Sequence, residues 1–85
     1  MAARSNLATV RNPIMALPAM IALRRFLATN AECRGYVGQA LREIATDARA
    51  KADKAWKTHK APMAVYWKAV SVYARHIRVA LLRKD

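Results

Sequence analysis

Residues 36–58 read YVGQALREIATDARAKADKAWKT, and this stretch decides the fold because it has a helical period and contains no proline. Its apolar residues recur at 4-3-4-7 spacing, which places them on one helix face. That face consists of Val37, Leu41, Ile44, Ala48 and Ala55. A stripe of small residues that allows close helix approach is formed by Ala45, Ala48, Ala52 and Ala55. The sequence therefore predicts a long helix over residues 31–58 that packs against another helix.

The chain that follows predicts a second long helix, over residues 62–83. His59-Lys60-Ala61-Pro62 is typical of a turn, since proline suits the first turn of a helix and disfavours helical backbone just before it. The main apolar stripe of this helix is Met63, Trp67, Val70, Ala74, Ile77 and Leu81. A second stripe, on nearly the opposite side, is Val65, Ala69, Val72 and Val79. We expect a helix that is apolar over so wide an arc to lie between other helices or in an interface.

The start of the chain predicts one shorter helix, over residues 18–29. Met20, Leu23 and Leu27 share a face of it, and Pro18 either starts it or interrupts a helix that Asn12 caps. Thr29 and Asn30 are candidate N-caps of the next helix, in a capping-box pattern with Glu32.

The predicted fold class is all-α, with the short first helix packed across an antiparallel hairpin of the two long ones. Residues 1–11 have little periodicity and are predicted to be a basic mobile arm. Residues 12–85 are predicted to form a single small helical domain.

Composition favours a binding protein over an enzyme. The 85 residues include 19 alanines and carry a net charge of +11, which indicates an anionic partner. The single Cys33 excludes an intramolecular disulfide, and one Cys with two His cannot fill a structural zinc site. No phosphate-binding loop, nucleophile motif or paired-carboxylate site is present, so we expect neither catalysis nor a cofactor. The longest apolar run, residues 13–23, is shorter than the ~20 residues that a transmembrane helix needs.

Basic and aromatic residues interleave along the two long helices. The predicted contacts to an anionic partner are Lys51, Lys54, Lys57, Lys60, Lys68, Arg75 and Arg78. The last three lie with Ser71 on a narrow polar strip of the final helix. The predicted aromatic contacts are Trp56, Tyr66, Trp67 and Tyr73. Cations neutralise phosphates and release counterions, and rings stack on unpaired bases. Alternatively, the lysines solvate a helix C-terminus and the rings fill the core, where we expect Trp67 and Tyr73.

Three stretches are similar to segments of small uncharacterised proteins of bacterial phages and prophages. They are residues 12–18 (NPIMALP), 48–54 (ARAKADK) and 55–73 (AWKTHKAPMAVYWKAVSVY). The resemblance implies the cytoplasm of a bacterial host and an accessory role, and it implies no catalytic residue. An alternative location, an organellar matrix, follows if residues 1–31, which carry four arginines and no acid, act as a presequence.

Two classes of function fit these patterns. The first is a non-enzymatic protein that binds nucleic acid or a nucleic-acid-handling complex through its lysines and arginines. The second is an inhibitor or modulator of a host protein machine that docks on an acidic protein surface through an apolar helix face with a basic rim. The face formed by Val65, Val72 and Val79 also predicts self-association or a bound partner. A third interpretation is attachment of the first helix to an anionic membrane surface, with Arg24 and Arg25 beside its apolar face.

Overall fold

The computed structural model describes residues 12–83, and within them the chain is helical apart from short connections. A 3₁₀ turn, Pro13–Ala16, precedes α1 (Pro18–Ala28), α2 (Ala31–Lys57) and α3 (Ala61–Leu82). The last two helices pack extensively as a hairpin, and α1 packs on α3. The predicted all-α fold is confirmed, and each predicted helix boundary is within one residue of the observed one. The predicted mobile arm, residues 1–11, lies outside the described residues.

The hairpin is held together by small side chains that recur at alternating spacings of three and four residues. In α2 the row facing α3 is Gly38, Leu41, Ala45, Ala48, Ala52 and Ala55. In α3 the matching row is Ala64, Trp67, Ser71, Ala74, Arg78 and Leu81. This spacing is the heptad pattern of a coiled coil, which keeps one row of each helix against its partner along the whole contact. We call the two rows together the alanine seam.

The small residues of the seam are buried between the two helices. The alanines of α2 predicted to allow close approach, Ala45, Ala48, Ala52 and Ala55, are all buried. At the open end of the hairpin, a methyl group on Gly38 would lie only 2.7 Å from the Cδ1 atom of Leu82. Glycine is therefore the residue that fits this contact without displacing the α3 side chain.

Two of the predicted apolar stripes match the observed seam only in part. Leu41, Ala48 and Ala55 of α2 and Trp67, Ala74 and Leu81 of α3 lie in the seam as predicted, whereas the other predicted members lie one residue away from it. Ile44 and Met63 were expected in the packing faces, but each side chain is 46% exposed. Their neighbours Ala45 and Ala64 are buried instead. Ser71, expected on the polar strip, is also buried, and its hydroxyl donates to the Lys68 carbonyl at 2.8 Å. The predictions were wrong here because closely spaced helices accommodate small side chains between them and displace large ones to the flanks.

The turn between α2 and α3 is fixed by a left-handed residue. His59 has φ of 60°, and the amides of His59 and Lys60 donate to the carbonyls of Trp56 and Ala55. This is the Schellman arrangement, in which the position occupied by His59 is usually glycine. The predicted turn at this site is confirmed, and α3 begins one residue before Pro62.

The connection from α1 to α2 does not use the predicted capping box. The side chains of Thr29 and Asn30 both donate to the Phe26 carbonyl, at 3.1 and 2.7 Å, and neither caps α2. Free carbonyls at the end of α1 take both of these donors. Asn30 is the N-cap residue of α2, as predicted, but the side-chain hydrogen bonds of the predicted capping box are not formed.

The third helix is covered on two opposite faces. Ser71 and Ala80 are nine residues apart, which places them on opposite sides of α3, and both are buried. Asn12, expected as a helix cap, instead donates its side-chain amide to the His76 carbonyl of α3 at 2.8 Å. Leu27 of α1 is only 1% exposed, whereas Leu23, expected on the same packing face, is 42% exposed. The prediction of a central third helix is confirmed over its C-terminal half.

Replacing a seam alanine with a larger residue is expected to destabilise the hairpin. In the variant Ala48→Leu the added carbons have no space between the helices, and overpacking of this kind costs ~1–3 kcal/mol. Urea denaturation followed by circular dichroism measures the change. Ala50→Leu, at an exposed position of the same helix, is the control and should leave stability nearly unchanged. Equal stability of both variants would show that the seam tolerates wider spacing.

Glycine at position 59 is expected to stabilise the protein. His59→Gly removes the steric cost of a left-handed backbone, which is ~1–2 kcal/mol for a residue with a Cβ atom, and loses part of this gain to the greater freedom of glycine in the unfolded chain. His59→Ala keeps the Cβ atom and should give no gain. The same denaturation experiment compares them, and a glycine variant no more stable than the alanine variant would contradict the assignment.

Candidate functional site

A row of side chains flanks the alanine seam along one side of each hairpin helix. In α2 the flanking row is Thr46, Arg49, Asp53 and Trp56. In α3 the residues at the corresponding helical positions are Val65, Lys68, Val72, Arg75 and Val79. Three valines of the second predicted stripe therefore alternate with Lys68 and Arg75 of the predicted polar strip along one edge of α3. The sequence analysis treated the two sets as separate features.

Between the two flanking rows lies a groove with two neighbouring parts. The larger part, near the turn, has a volume of about 500 Å³ and is lined by Arg49, Ala52, Asp53, Trp56, Lys57, Ala64, Val65 and Lys68. The smaller part has a volume of about 270 Å³ and is lined by Ala45, Thr46, Arg49, Ser71 and Arg75. Arg49 lines both parts, so they adjoin at this side chain on one face of the hairpin. We call it the basic groove.

The basic groove has cations on both walls. Arg49 and Lys57 come from α2, and Lys68 and Arg75 come from α3. The acid in the lining, Asp53, lies 3.7 Å from the Arg49 guanidinium, with both side chains more than 60% exposed. An exposed ion pair of this kind is weak, so Arg49 is available to another anion at little cost. The walls therefore present a net positive charge on either side of a floor of small residues.

Four of the predicted site residues meet in this groove. Trp56, Lys57, Lys68 and Arg75 line it, and the Trp56 side chain is 67% exposed. Sequence reasoning missed Arg49, which the structure places at the centre of the channel. Its spacing of seven residues from Trp56, with Asp53 between them, was a signal that these residues share a helix face.

The other predicted cations lie elsewhere on the molecule. Lys54 and Lys60 are exposed and do not line the groove. Lys51 places its ammonium group 5.5 Å from the centre of the Trp67 ring, a cation–π contact within the protein. The half-buried Arg78 donates from Nε to the Gly38 carbonyl at 3.0 Å, across the hairpin. At the same end, the Arg34 guanidinium donates to the Leu82 carbonyl.

The remaining predicted aromatics do not contribute to the groove. Trp67 is half-buried and packs edge-on against Tyr66, with ring centres 5.0 Å apart. Tyr66 itself is 56% exposed. Tyr73, expected in the core, is 61% exposed and lies beside the half-buried His76. The expectation for Tyr73 was wrong because α1 and the 3₁₀ turn cover α3 without enclosing this position.

Three further observations concern metal ligands, the free cysteine and helix length. Within residues 12–83, no three His, Cys, Asp or Glu side chains converge to hold a metal ion. Cys33 is exposed and is not among the residues that line the groove. In the same part of the chain, no helix has both the length and the apolar character that crossing a bilayer requires.

Comparison of the chain with protein-family profiles, curated proteins and solved structures gives no match. The resemblance to small phage proteins therefore stays a prediction, and the function is argued from the geometry of the groove.

The two neighbouring arginines of α3 are expected to have different roles. Arg78→Met removes a hydrogen bond from a charged donor at a half-buried position and should lower the free energy of unfolding by ~1–2 kcal/mol. Arg75→Met removes an exposed groove cation and should leave stability nearly unchanged. Urea denaturation of both variants tests the difference. Similar losses in both variants would contradict the structural role assigned to Arg78.

Proposed function

We propose that this chain is a small basic, non-enzymatic protein that binds nucleic acid, or the nucleic acid of a nucleic-acid-handling complex, in the basic groove. The observation that carries the proposal is the convergence of Arg49, Lys57, Lys68 and Arg75 on the two walls of one channel. Scattered surface cations give only a diffuse field, whereas cations on facing walls can contact one polyanion together. A phage accessory role in a bacterial host, which the sequence resemblance implies, is compatible with this activity and forms part of the proposal.

The phosphate backbone is the part of the nucleic acid that these walls recognise. Lys68 and Arg75 are seven residues apart, which is about 10 Å along the α3 axis. Arg49 and Lys57 are eight residues apart on α2, or about 12 Å. A strand running along the groove would therefore meet cations on both sides, those of one wall about three stacked nucleotides apart, and the release of condensed counterions would drive binding.

Sequence-independent binding fits the lining better than base-specific recognition. Reading base edges requires side chains that donate or accept hydrogen bonds in a fixed pattern. The arginines of the lining are exposed, so their donors are not held in a fixed pattern. The uncharged polar groups in the groove are the hydroxyls of Thr46 and Ser71 and the indole N–H of Trp56, and the Ser71 hydroxyl already donates to a backbone carbonyl. The groove floor otherwise consists of alanines, whose methyl groups shape the floor but cannot form hydrogen bonds with base edges.

A second candidate function is the modulation of a host protein machine through an acidic protein surface. Val65 and Val79 are 64% and 50% exposed, on the edge of α3 that also carries Lys68 and Arg75. Apolar contacts with charges at their rim are typical of protein interfaces. The same exposed valines would serve self-association, which remains a prediction of the sequence.

Nucleic-acid binding in the groove is expected to depend steeply on salt. Four phosphate contacts predict a log–log slope of affinity against salt of about −3 for a single strand and slightly steeper for a duplex. Lys68→Ala or Arg75→Ala should reduce the slope by about one and weaken binding to all sequences alike. Fluorescence anisotropy with labelled oligonucleotides between low and moderate salt gives both quantities.

Lys54→Ala is the matched control, because it removes the same charge from an exposed position outside the groove. It should leave the slope nearly unchanged. A slope near zero for the unaltered protein would reject nucleic-acid binding. An equal effect of Lys54→Ala and Lys68→Ala would reject the groove as the binding site.

A further inference from the structure

The two tryptophans of the hairpin have different surroundings, and the difference points to a ligand. Trp67 is half-buried, with Lys51 over its ring and Tyr66 at its edge. Trp56 is 67% exposed, and within residues 12–83 its indole has no aromatic, cation–π or hydrogen-bond partner. Trp56 is therefore a large flat ring in the wall of the groove that the packing of the hairpin does not use.

We propose that the basic groove takes a single-stranded nucleic acid, one of whose unpaired bases stacks on Trp56. The inference rests on the proposed function and names the class of nucleic acid that this site selects. Stacking needs an unpaired base whose face is open. All four bases have such a face, so this contact favours single strands over duplexes without favouring any sequence.

The dimensions of the groove suit a short segment of one strand. Its lining on α2 runs from Ala45 to Lys57, a distance of about 18 Å along the helix axis. At 3.4 Å per stacked nucleotide, this length holds about five nucleotides. Lys57 is adjacent to Trp56, and Lys68 lines the same part of the groove, so a base on the ring would have cations near its phosphates.

The lining favours a strand over the two other polyanions that the charge could attract. A duplex keeps its bases paired and stacked, so except at its ends it offers this ring its backbone and base edges but no open base face. An acidic amphipathic helix would need apolar sockets at successive turns. The groove has large apolar side chains only at Trp56 and Val65, both in the part nearest the turn, and its remaining lining is small, polar or charged.

The test compares a labelled 12-nucleotide single strand of thymine with a mixed-sequence 12-base-pair duplex at one low salt concentration. Trp56→Ala should weaken binding of the single strand about 5- to 100-fold and change duplex binding by less than twofold. Trp56→Phe should restore most of the loss, because a phenyl ring also stacks. Tyr36→Ala, which removes an 80% exposed ring that is not in the groove, should change neither affinity. Circular dichroism checks that every variant is folded.

Fluorescence gives a second readout that does not depend on affinity. In Trp67→Phe the remaining tryptophan is Trp56, and its emission should be quenched by the single strand but not by the duplex. In Trp56→Phe the remaining Trp67 emission should change little. Emission of Trp56 that is unaffected by a bound single strand would overturn the stacking contact.

The outcomes separate the two proposals. If both nucleic acids bind with the expected salt slope and Trp56→Ala weakens them equally, the strand selectivity is wrong and the proposed function stands. If neither binds, while poly-glutamate does, the groove is a site for acidic protein and both proposals fail. Loss of single-strand binding in Trp56→Ala, with the duplex unaffected, supports both.

Discussion

The close contact of α2 and α3 through small side chains is the constraint on which the rest of the molecule depends. Alanine occupies four successive heptad positions of α2, and Gly38 leaves room for the Leu82 side chain at the open end of the hairpin. Because most seam positions hold small residues, several large side chains, such as Ile44 and Met63, lie on the flanks. The seam thus determines which residues form the surface as well as which form the core.

The basic groove is a direct result of this arrangement. When two helices meet through a narrow row of alanines, the flanking rows diverge on each side and leave a channel whose floor is the seam itself. On one side, those flanking rows carry Arg49, Lys68 and Arg75, and Lys57 lies beside Trp56 at the end of the α2 row. The chemistry that the groove offers is therefore set by residues one or two positions away from the packing row, and a shift of that row would move them out of the groove.

Much of the fold could be predicted from the sequence, because proline and helical periodicity mark the helix ends strongly. Pro18 and Pro62 gave the starts of α1 and α3 to within one residue. The rotation of each long helix about its own axis was harder. Ile44 and Ala45 are neighbours, and a ranking by hydrophobicity favours Ile44, whereas close packing favours Ala45. Which of the two residues faces α3 depends on the presence of a second alanine-rich helix, and that depends on the tertiary structure.

The types of residue in the candidate site could be predicted from the sequence, but the full set of residues that line it could not. The sequence indicated cations and rings near the turn, and Trp56, Lys57, Lys68 and Arg75 do lie together. It did not indicate that both Lys51 and Arg78 make contacts within the protein. Lys51 contacts the Trp67 ring, and Arg78 donates to the Gly38 carbonyl. Such contacts join residues far apart in the chain, so the helical spacing of either residue alone carries no information about them.

The alanine seam also determines where side-chain entropy is lost. Alanine has no rotamers to restrict, so closing the hairpin along these positions immobilises few side chains. The long arginines and lysines of the groove walls, which are exposed, keep their conformational freedom in the free protein. That freedom is given up only when a partner binds, by roughly 0.5–1.5 kcal/mol for each side chain that becomes fixed. Under the proposed function, such a groove would adapt its contacts to polyanions of different shape and would bind any single one of them less tightly than a rigid site would.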